Sequence, residues 1–425
     1  MKLEKAKGTK DYPPENEIAR QHVISVIRET FELYGFSPLE TSILERQETL
    51  AAKFAGGEEI LKEVYKLKDQ GNRELGLRYD LTVPLARFMG MHPDIRMPFK
   101  RYEIGRVFRD GPIKLGRLRE FLQCDADIIG VNGISGEIEV LSCARDAFKK
   151  LGIEIETRLN SRKLLSEIMA ACEIGNTEEA ILAIDKIEKL GMDYVLKELN
   201  SKGISESKSK KLISMIVQKG NNKQTIEAIE KQLGKGSEGM KEIKGLLSEL
   251  GKAGCEVIFQ PSLARGLSYY TGAIYEVYPV QGSVKSSLAA GGRWDNLVSR
   301  LLVSKRDYPA LGISFGIEPI TEVLNEKRPS GIKSPAQIYV IPIGDVDGIK
   351  VVQELRKGGV KADIDIMQRG PSKNIDYAGS LGIPLVGFYG EDEMKKGVIK
   401  IRNLNTGKES LVKIKEAARS IGKDL

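Results

Sequence analysis

Phe99-Lys100-Arg101-Tyr102-Glu103-Ile104-Gly105-Arg106-Val107-Phe108 leads into Arg109-Asp110-Gly111-Pro112-Ile113-Lys114-Leu115-Gly116-Arg117-Leu118-Arg119-Glu120, and then into Phe121-Leu122-Gln123-Cys124-Asp125-Ala126-Asp127-Ile128-Ile129. Two strand-like runs flank a loop that carries glycine and basic residues, which predicts a hairpin with a long basic tip and hence an antiparallel sheet. On the second run Gln123, Asp125 and Asp127 share one face, because strand side chains alternate. A buried strand would be apolar there, so this face is either wet or the lining of a polar pocket.

Upstream, Val23, Val26, Ile27, Phe31 and Tyr34 recur at helical spacing within residues 15–34, and Gly35 follows as a stop. Leu75–Asp80 is another strand-like stretch. Downstream, proline is absent from Pro112 to Pro261, and residues 161–252 are rich in Lys, Glu, Ile and Leu at helical spacing, as in Leu164, Leu165, Ile168, Met169 and Cys172. This predicts a helical insertion that interrupts the sheet. Strand character resumes at Val257–Gln260 and Ala273–Val280, and the glycine-rich Ala289-Ala290-Gly291-Gly292-Arg293-Trp294-Asp295 precedes a helix. Glu322–Pro335 has the polar, Pro- and Gly-bearing composition of a linker. Beyond it strand and helix alternate: Ile338–Ile341, Gly348–Lys357, Val360–Ile366, Asn374–Gly379 and Pro384–Tyr389. That alternation predicts a small α/β domain with a partly parallel sheet.

Composition narrows the function classes. With 425 residues the chain exceeds what one core usually serves, so two or three domains are expected. Hydrophobic residues at 41% and charged residues at 29% exclude a disordered or fibrous chain. No apolar run approaches the roughly 20 residues of a membrane-spanning helix, and the first residues carry no apolar secretory segment. The four cysteines form no CxxC pair, which argues for a reducing cytosol over a zinc ribbon or disulfide framework. With two histidines in the chain, a His-rich metal site or a Ser-His-Asp triad is disfavoured. The net charge of +7 permits a nucleic-acid partner without requiring one.

Four groups of residues can carry chemistry. Arg106, Arg109, Lys114, Arg117 and Arg119 gather around Phe108 and Phe121. An arginine fixed on a strand grips phosphate bidentately and a basic tip grips a polynucleotide backbone, although a solvated charged hairpin has the same composition. Asp80 and Thr82, read as one face of a strand, would hold an ammonium group or simply solvate a strand end. Gln123, Asp125 and Asp127 form the polar row described above. In Leu263-Ala264-Arg265-Gly266-Leu267-Ser268-Tyr269-Tyr270-Thr271-Gly272, an arginine can meet phosphate and a phenol can meet a ring nitrogen; the alternative is a turn leading into an aromatic strand.

In this order the four groups resemble the histidyl-tRNA synthetases, a class II aminoacyl-tRNA synthetase family. Lys7-Gly8-Thr9-Lys10-Asp11-Tyr12-Pro13-Pro14 resembles the family's opening, and Tyr34-Gly35-Phe36 through Leu44-Glu45 resembles motif 1, the dimerisation element. Leu77–Arg87 resembles the segment that binds the histidine ammonium in archaeal and eukaryotic members. Phe108-Arg109 through Gly116-Arg117-Leu118-Arg119-Glu120-Phe121-Leu122-Gln123 resembles motif 2. Arg265–Gly272 resembles the signature peculiar to the family, the most specific match, and Pro309–Glu318 resembles motif 3.

The resemblance implies an α+β fold: a class II antiparallel sheet flanked by helices (residues 1–160 and 253–325), a helical insertion (161–252) and a C-terminal α/β anticodon-binding domain (336–425). It implies a cytoplasmic homodimeric ligase that activates L-histidine with ATP and Mg2+ and passes it to tRNA(His). By the same resemblance Asp80, Leu81 and Thr82 hold the ammonium, Gln123 sits near the carboxylate, and Asp127 with Tyr270, beside Tyr269, clamps the imidazole. Arg109 and Arg265 bind the α-phosphate as the catalytic pair. Arg117, Phe121 and Arg293 complete the ATP site, and Lys114, Arg117 and Arg119 reach tRNA. No metal position is implied.

The chain departs from the family at four places. Ser42 replaces the motif 1 proline, Gly111 the motif 2 acid and Ser268 an aspartate; Pro319 replaces the motif 3 arginine, for which Arg293 is the candidate substitute. These departures keep two alternatives open. One is a non-catalytic paralogue such as the histidine-sensing regulatory subunit of ATP phosphoribosyltransferase, which lacks the terminal domain. The other is an RNA-binding module on the same fold.

Overall fold

The computed structural model describes residues 2–51, 61–113, 118–266, 268–302, 307–327 and 331–424. The chain divides into two compact units, Met1–Lys10 with Val23–Lys327 and Asp11–His22 with Arg328–Leu425.

In the first unit the predicted hairpin forms the spine of the sheet. Phe99–Phe108 and Glu120–Ile129 pair antiparallel from Phe99 against Ile129 to Phe108 against Glu120. Among the described residues the sheet has eight strands, in the order Ser37–Pro38, Phe99–Phe108, Glu120–Ile129, Ala310–Gly316, Ala289–Arg293, Ala273–Pro279, Ile155–Ser161, Ile258–Phe259. The six inner strands pair antiparallel, and each two-residue edge strand pairs parallel to its neighbour.

Strand alternation sorts the faces. Cys124, Ala126 and Ile128 enter the apolar core, where Phe31 packs against Phe36, Tyr102 and Phe315, and Phe148 stacks on Phe315. Gln123, Asp125 and Asp127 turn to the other face. The floor there is glycine for lack of room: a Cβ on Gly312 would lie 1.9 Å from Asp127 Oδ1, and one on Gly291 would lie 2.0 Å from the Gly312 carbonyl oxygen.

From Arg162–Ala171 to Glu238–Lys252 the chain is a succession of helices. The first is capped by Ser161, whose hydroxyl accepts from the Leu164 amide. Its Leu164, Leu165, Ile168 and Met169 are fully buried in the same core as the sheet. Burial of each such side chain is worth roughly 1.5–3 kcal/mol, so the helical run is anchored by apolar packing.

Two expectations are corrected. Asp80 and Thr82 do not share a strand face: the strand ends at Leu77, and Thr82 opens the helix Thr82–Met91. Asp80 Oδ1 accepts from the Val83 amide at 3.0 Å, the usual work of an acid at a helix start. The linker also begins later than composition indicated, because the helix Ile317–Lys327 runs through Glu322. Pro319 is its third residue, in the first turn, where a missing amide proton costs no intrahelical bond.

The second unit carries a five-stranded sheet in the order Ala362–Ile364, Ile338–Pro342, Leu385–Tyr389, Val398–Asn403, Glu409–Lys413. The first three strands are parallel, as predicted. The antiparallel pair at the far edge and the helix Ile414–Asp424 were not anticipated. No helix among the described residues is long and apolar enough to cross a membrane.

Candidate active site

One cavity on the polar face of the sheet gathers most of the candidate residues. Asp80 and Thr82 come from the start of a helix, and Arg109 from the end of the first hairpin strand. Gln123, Asp125 and Asp127 come from the second hairpin strand, and Arg265, Tyr269 and Tyr270 from the loop before Ala273–Pro279. Ala290, Gly291, Trp294, Gly312, Ile313 and Ser314 complete the lining.

The cavity has two chemically distinct ends. At one end three carboxyl groups converge without enough protein donors. Asp80 Oδ2, Asp125 Oδ1 and Gln123 Oε1 are buried and accept no hydrogen bond among the described residues. Burial pushes Asp80 up to about 7, against the Val83 amide and Arg109. Burial and then the neighbouring Asp127 push Asp125 up to about 7. Burial raises Asp127 to about 6, although Arg101 opposes it. Clustered buried acids of this kind favour either a proton or a cationic ligand. Ser314 links Gln123 to one of these acids, accepting from Gln123 Nε2 at 2.6 Å and donating to Asp125.

Beneath Asp127 runs a chain of alternating buried charges. Arg101 Nη2 lies 2.7 Å from Asp127 Oδ2, Arg101 Nη1 lies 3.5 Å from Glu103, and Arg78 Nη1 donates to Glu103 at 2.7 Å. Gly105 makes room for Arg78, since a Cβ there would lie 2.2 Å from its Nη2. Removing one member of such a chain strands its partner in low dielectric, so the row holds Asp127 in place.

The other end is cationic. Arg109 Nε donates to the Tyr79 carbonyl at 3.0 Å, and its guanidinium lies 5.2 Å from the centre of the half-buried Phe121 ring. Arg265 is paired with Glu276, which also accepts from Tyr278. Burial works against the Arg265 charge, but Tyr270 and Glu276 outweigh it and hold its pKa above the usual arginine value. Tyr269 hydrogen-bonds Thr82, and its ring centre is 4.8 Å from that of Tyr270. A zwitterion fits this layout, with donors toward the acids and an anionic group toward the arginines.

Not every candidate reaches the cavity. Leu81 is buried outside it, its carbonyl accepting from Arg101 at 3.0 Å. Phe121 lies outside the lining, beneath Arg109. Arg293 is a correction: its guanidinium is buried and engaged by Glu137, Asp295 and the carbonyls of Val131 and Gly133, so it braces the fold and cannot replace the arginine missing at Pro319. Arg119 pairs with Asp110 at 3.1 Å, and its amide donates to Gly8, joining the chain's opening segment to the hairpin. Lys114 and Arg117 lie outside the described residues. At Gly111 a Cβ would meet Glu63 Oε1 at 2.5 Å, so a carboxylate from another segment stands beside the position where the motif 2 acid is missing.

Sequence reasoning placed Asp125 on the polar row but gave it no role, and it missed Ser314, Trp294 and the Arg78–Glu103–Arg101 chain. The signal was the hairpin register, which sets Arg101 opposite Asp127 and Glu103 opposite Asp125.

The profile of the histidyl-tRNA synthetase family matches residues 8–320, and that of the anticodon binding domain matches residues 337–424. The chain is 41% identical to "Histidine--tRNA ligase 1" of Bacillus cereus (strain ATCC 14579), covering 99% of each chain. A crystal structure of histidyl-tRNA synthetase from Nostoc sp. PCC 7120 superposes with a TM-score of 0.86 at 27% identity, over 100% of both chains. The fold is shared with an ATP phosphoribosyltransferase regulatory subunit/histidyl-tRNA synthetase from Bacillus halodurans, at a TM-score of 0.74 and 22% identity over 91% of this chain and 97% of that one.

Proposed function

The chain belongs to the histidyl-tRNA synthetase family, and we propose that it works as a histidine–tRNA ligase through the two-ended cavity described above. The family match over both units, including the anticodon-binding domain at residues 337–424, selects the ligase over a regulatory paralogue or a bare RNA-binding module. ATP and L-histidine are its substrates and tRNA is the acceptor.

The family resemblance assigns the division of labour, and the two-ended charge layout supports it. Asp80 and Thr82 take the ammonium of histidine. Asp127 and Tyr270 take the two imidazole nitrogens, with Asp125 and Ser314 fixing Gln123 beside the carboxylate. A carboxylate and a phenol facing one ring reject isosteres that leave either unpaired. The histidine carboxylate attacks the α-phosphorus of ATP and pyrophosphate leaves. Arg109 and Arg265 flank the phosphorane, where fixed cations in a dry site lower the barrier. The terminal ribose hydroxyl of tRNA then attacks the adenylate carbonyl and AMP leaves, so no side-chain nucleophile is required.

Mg2+ would enter with the triphosphate, as hard cations commonly do when phosphates supply most ligands; among the described residues no group of three His, Cys, Asp or Glu side chains is arranged to hold a metal ion. A homodimer is supported by Leu33, Ile43 and Leu44, apolar residues of the motif 1 region that stand exposed in the single chain. We place the enzyme in the cytoplasm, in keeping with its four buried cysteines, none of which is in a disulfide.

The observation that carries this reading is the convergence of three buried, under-paired carboxyl groups opposite two arginines. Amino-acid-dependent ATP–pyrophosphate exchange, run with all twenty amino acids and no tRNA, tests it. Exchange with histidine alone is expected, whereas exchange with a different amino acid would overturn the assignment of the acidic end.

A further inference from the structure

Behind the two tyrosines lies a second cavity of about 380 Å3 that amino-acid activation does not use. Tyr269 and Tyr270 line both cavities and form the wall between them. The far side is built from the first residues of the helices Arg162–Ala171 and Thr177–Ile184.

Arg162 distinguishes this cavity from an ordinary crevice. It is 9% exposed, and its Nη1 makes no hydrogen bond among the described residues. Arg78, Arg101, Arg265 and Arg293 are each held in an ion pair; Arg162 has none among the described residues. Burial lowers its pKa, with Glu178, Tyr270 and Asp185 opposing that shift. Ser268 Oγ, lining the same space, is also buried with no hydrogen-bond partner among the described residues. A desolvated guanidinium with no direct ion pair is costly to keep unless an anion relieves it. The ten-residue helix beginning at Arg162 adds the positive end of its dipole.

The surroundings limit the kind of anion. The Lys163 ammonium is taken by Glu242 at 2.9 Å, Arg300 also lines the cavity and is itself engaged within the protein, and Glu178 stands exposed at the rim. One unpaired guanidinium beside an acid suits the single charge of a phosphodiester better than the multiple charges of a triphosphate. Arg109 and Arg265, which face the reacting phosphate of ATP, do not line this cavity.

We propose that the cavity formed by Arg162, Ser268 and the Tyr269–Tyr270 wall binds a backbone phosphodiester near the 3′ end of the tRNA, and so delivers the terminal ribose to the adenylate on the other side of the tyrosines. This rests on the ligase reading. It adds a phosphate-binding site outside the activation cavity, built on the helical run after Ser161.

The test separates activation from transfer. Histidyl-adenylate is formed on the enzyme and chased with tRNA in a single turnover. Arg162→Gln is expected to slow transfer about ten- to a hundredfold, the usual weight of a charge-assisted contact, and to leave histidine-dependent pyrophosphate exchange within about twofold of wild type. Arg162→Lys should recover part of the loss. A tRNA with a neutral methylphosphonate at one of its last three linkages should slow the wild type similarly, and Arg162→Gln should be insensitive to that change. Normal transfer by Arg162→Gln, or the same methylphosphonate penalty in both proteins, overturns the proposal. So does a parallel loss of exchange, which would assign Arg162 to ATP. Should Arg162→Gln fail to fold, the exposed Glu178→Gln is expected to lower the KM for tRNA about two- to threefold by removing the rim acid; an unchanged or raised KM overturns the site. Wild-type enzyme that shows no exchange with histidine would instead sink the ligase reading.

Discussion

Each unit of this chain buries a polar cluster around an aspartate, and the two aspartates titrate in opposite directions. In the second unit Asp365 is saturated. It accepts from the amides of Met367 and Arg369, from Asn374 Nδ2 at 2.9 Å, and from the Arg369 guanidinium, which also reaches Tyr339. Burial alone would raise its pKa, but Asn374 and these amides outweigh it and the net shift is downward. In the first unit Asp80 is met by the Val83 and Thr82 amides but its Oδ2 has no donor among the described residues, and burial carries it upward to about 7. A satisfied cluster is architecture, whereas an unsatisfied one marks a surface built for donors that another molecule brings.

The sharpest way to break this contrast is at the cationic end. Arg265→Ala should reduce histidine-dependent pyrophosphate exchange about a thousandfold or more, the scale seen for arginines that face a transferring phosphoryl group. Near-normal exchange would remove Arg265 from the reaction.

At the acidic end, Asp80→Asn should weaken histidine binding by calorimetry about ten- to a hundredfold, because an ammonium loses its charged partner. The same change should leave the free protein equally stable or more so by about 1–2 kcal/mol, since it removes a charge that burial opposes. Loss of stability without loss of affinity would make Asp80 a structural cap.

Asp365→Asn should do the reverse. It should destabilise the second unit by about 1–3 kcal/mol, by removing a charged acceptor from Arg369 and two amides, and leave exchange with histidine unchanged. Denaturant unfolding and the exchange assay together read both effects.

The smallest effect is on the pH dependence of stability. Asp80, Asp125 and Asp127 have folded-state pKa values of about 6 to 7, above the unfolded value of about 3.9. The folded state therefore binds more protons between these limits, and these groups make the free protein less stable as pH rises from about 4 to about 7. Asp365 has the opposite sign: its contribution is present above the unfolded value and is lost as pH falls through its lower folded one. Saturating histidine should flatten the slope due to the first group, as thermal unfolding at pH 5 and pH 8 would show. A slope unaffected by histidine would separate those acids from the binding site.

Much of this was legible along the chain. The Phe99–Ile129 hairpin, the polar alternation of Gln123, Asp125 and Asp127, and the helical spacing of Leu164 to Met169 are local periodicities, which the structure retains. Asp80 was legible as a residue but not in its setting, because Leu77–Thr82 reads as strand by pattern while the Asp80 carboxylate turns it into a helix start. Arg293 was misread for a different reason. An arginine that follows two glycines looks available in one dimension, and only the approach of Glu137 from the helix Ser135–Lys150 shows it to be occupied.

The sequence alone therefore determined the kinds of element, the family and the residue types of the site, since those depend on side-chain period and on motifs a few residues long. The tertiary structure decided which charges are spent and which are free. Glu276 pairs with Arg265 and Glu103 with Arg78, whereas Arg162 forms no ion pair among the described residues. Pairing and desolvation arise from segments far apart in the chain, and together they set the charge each group presents to a ligand.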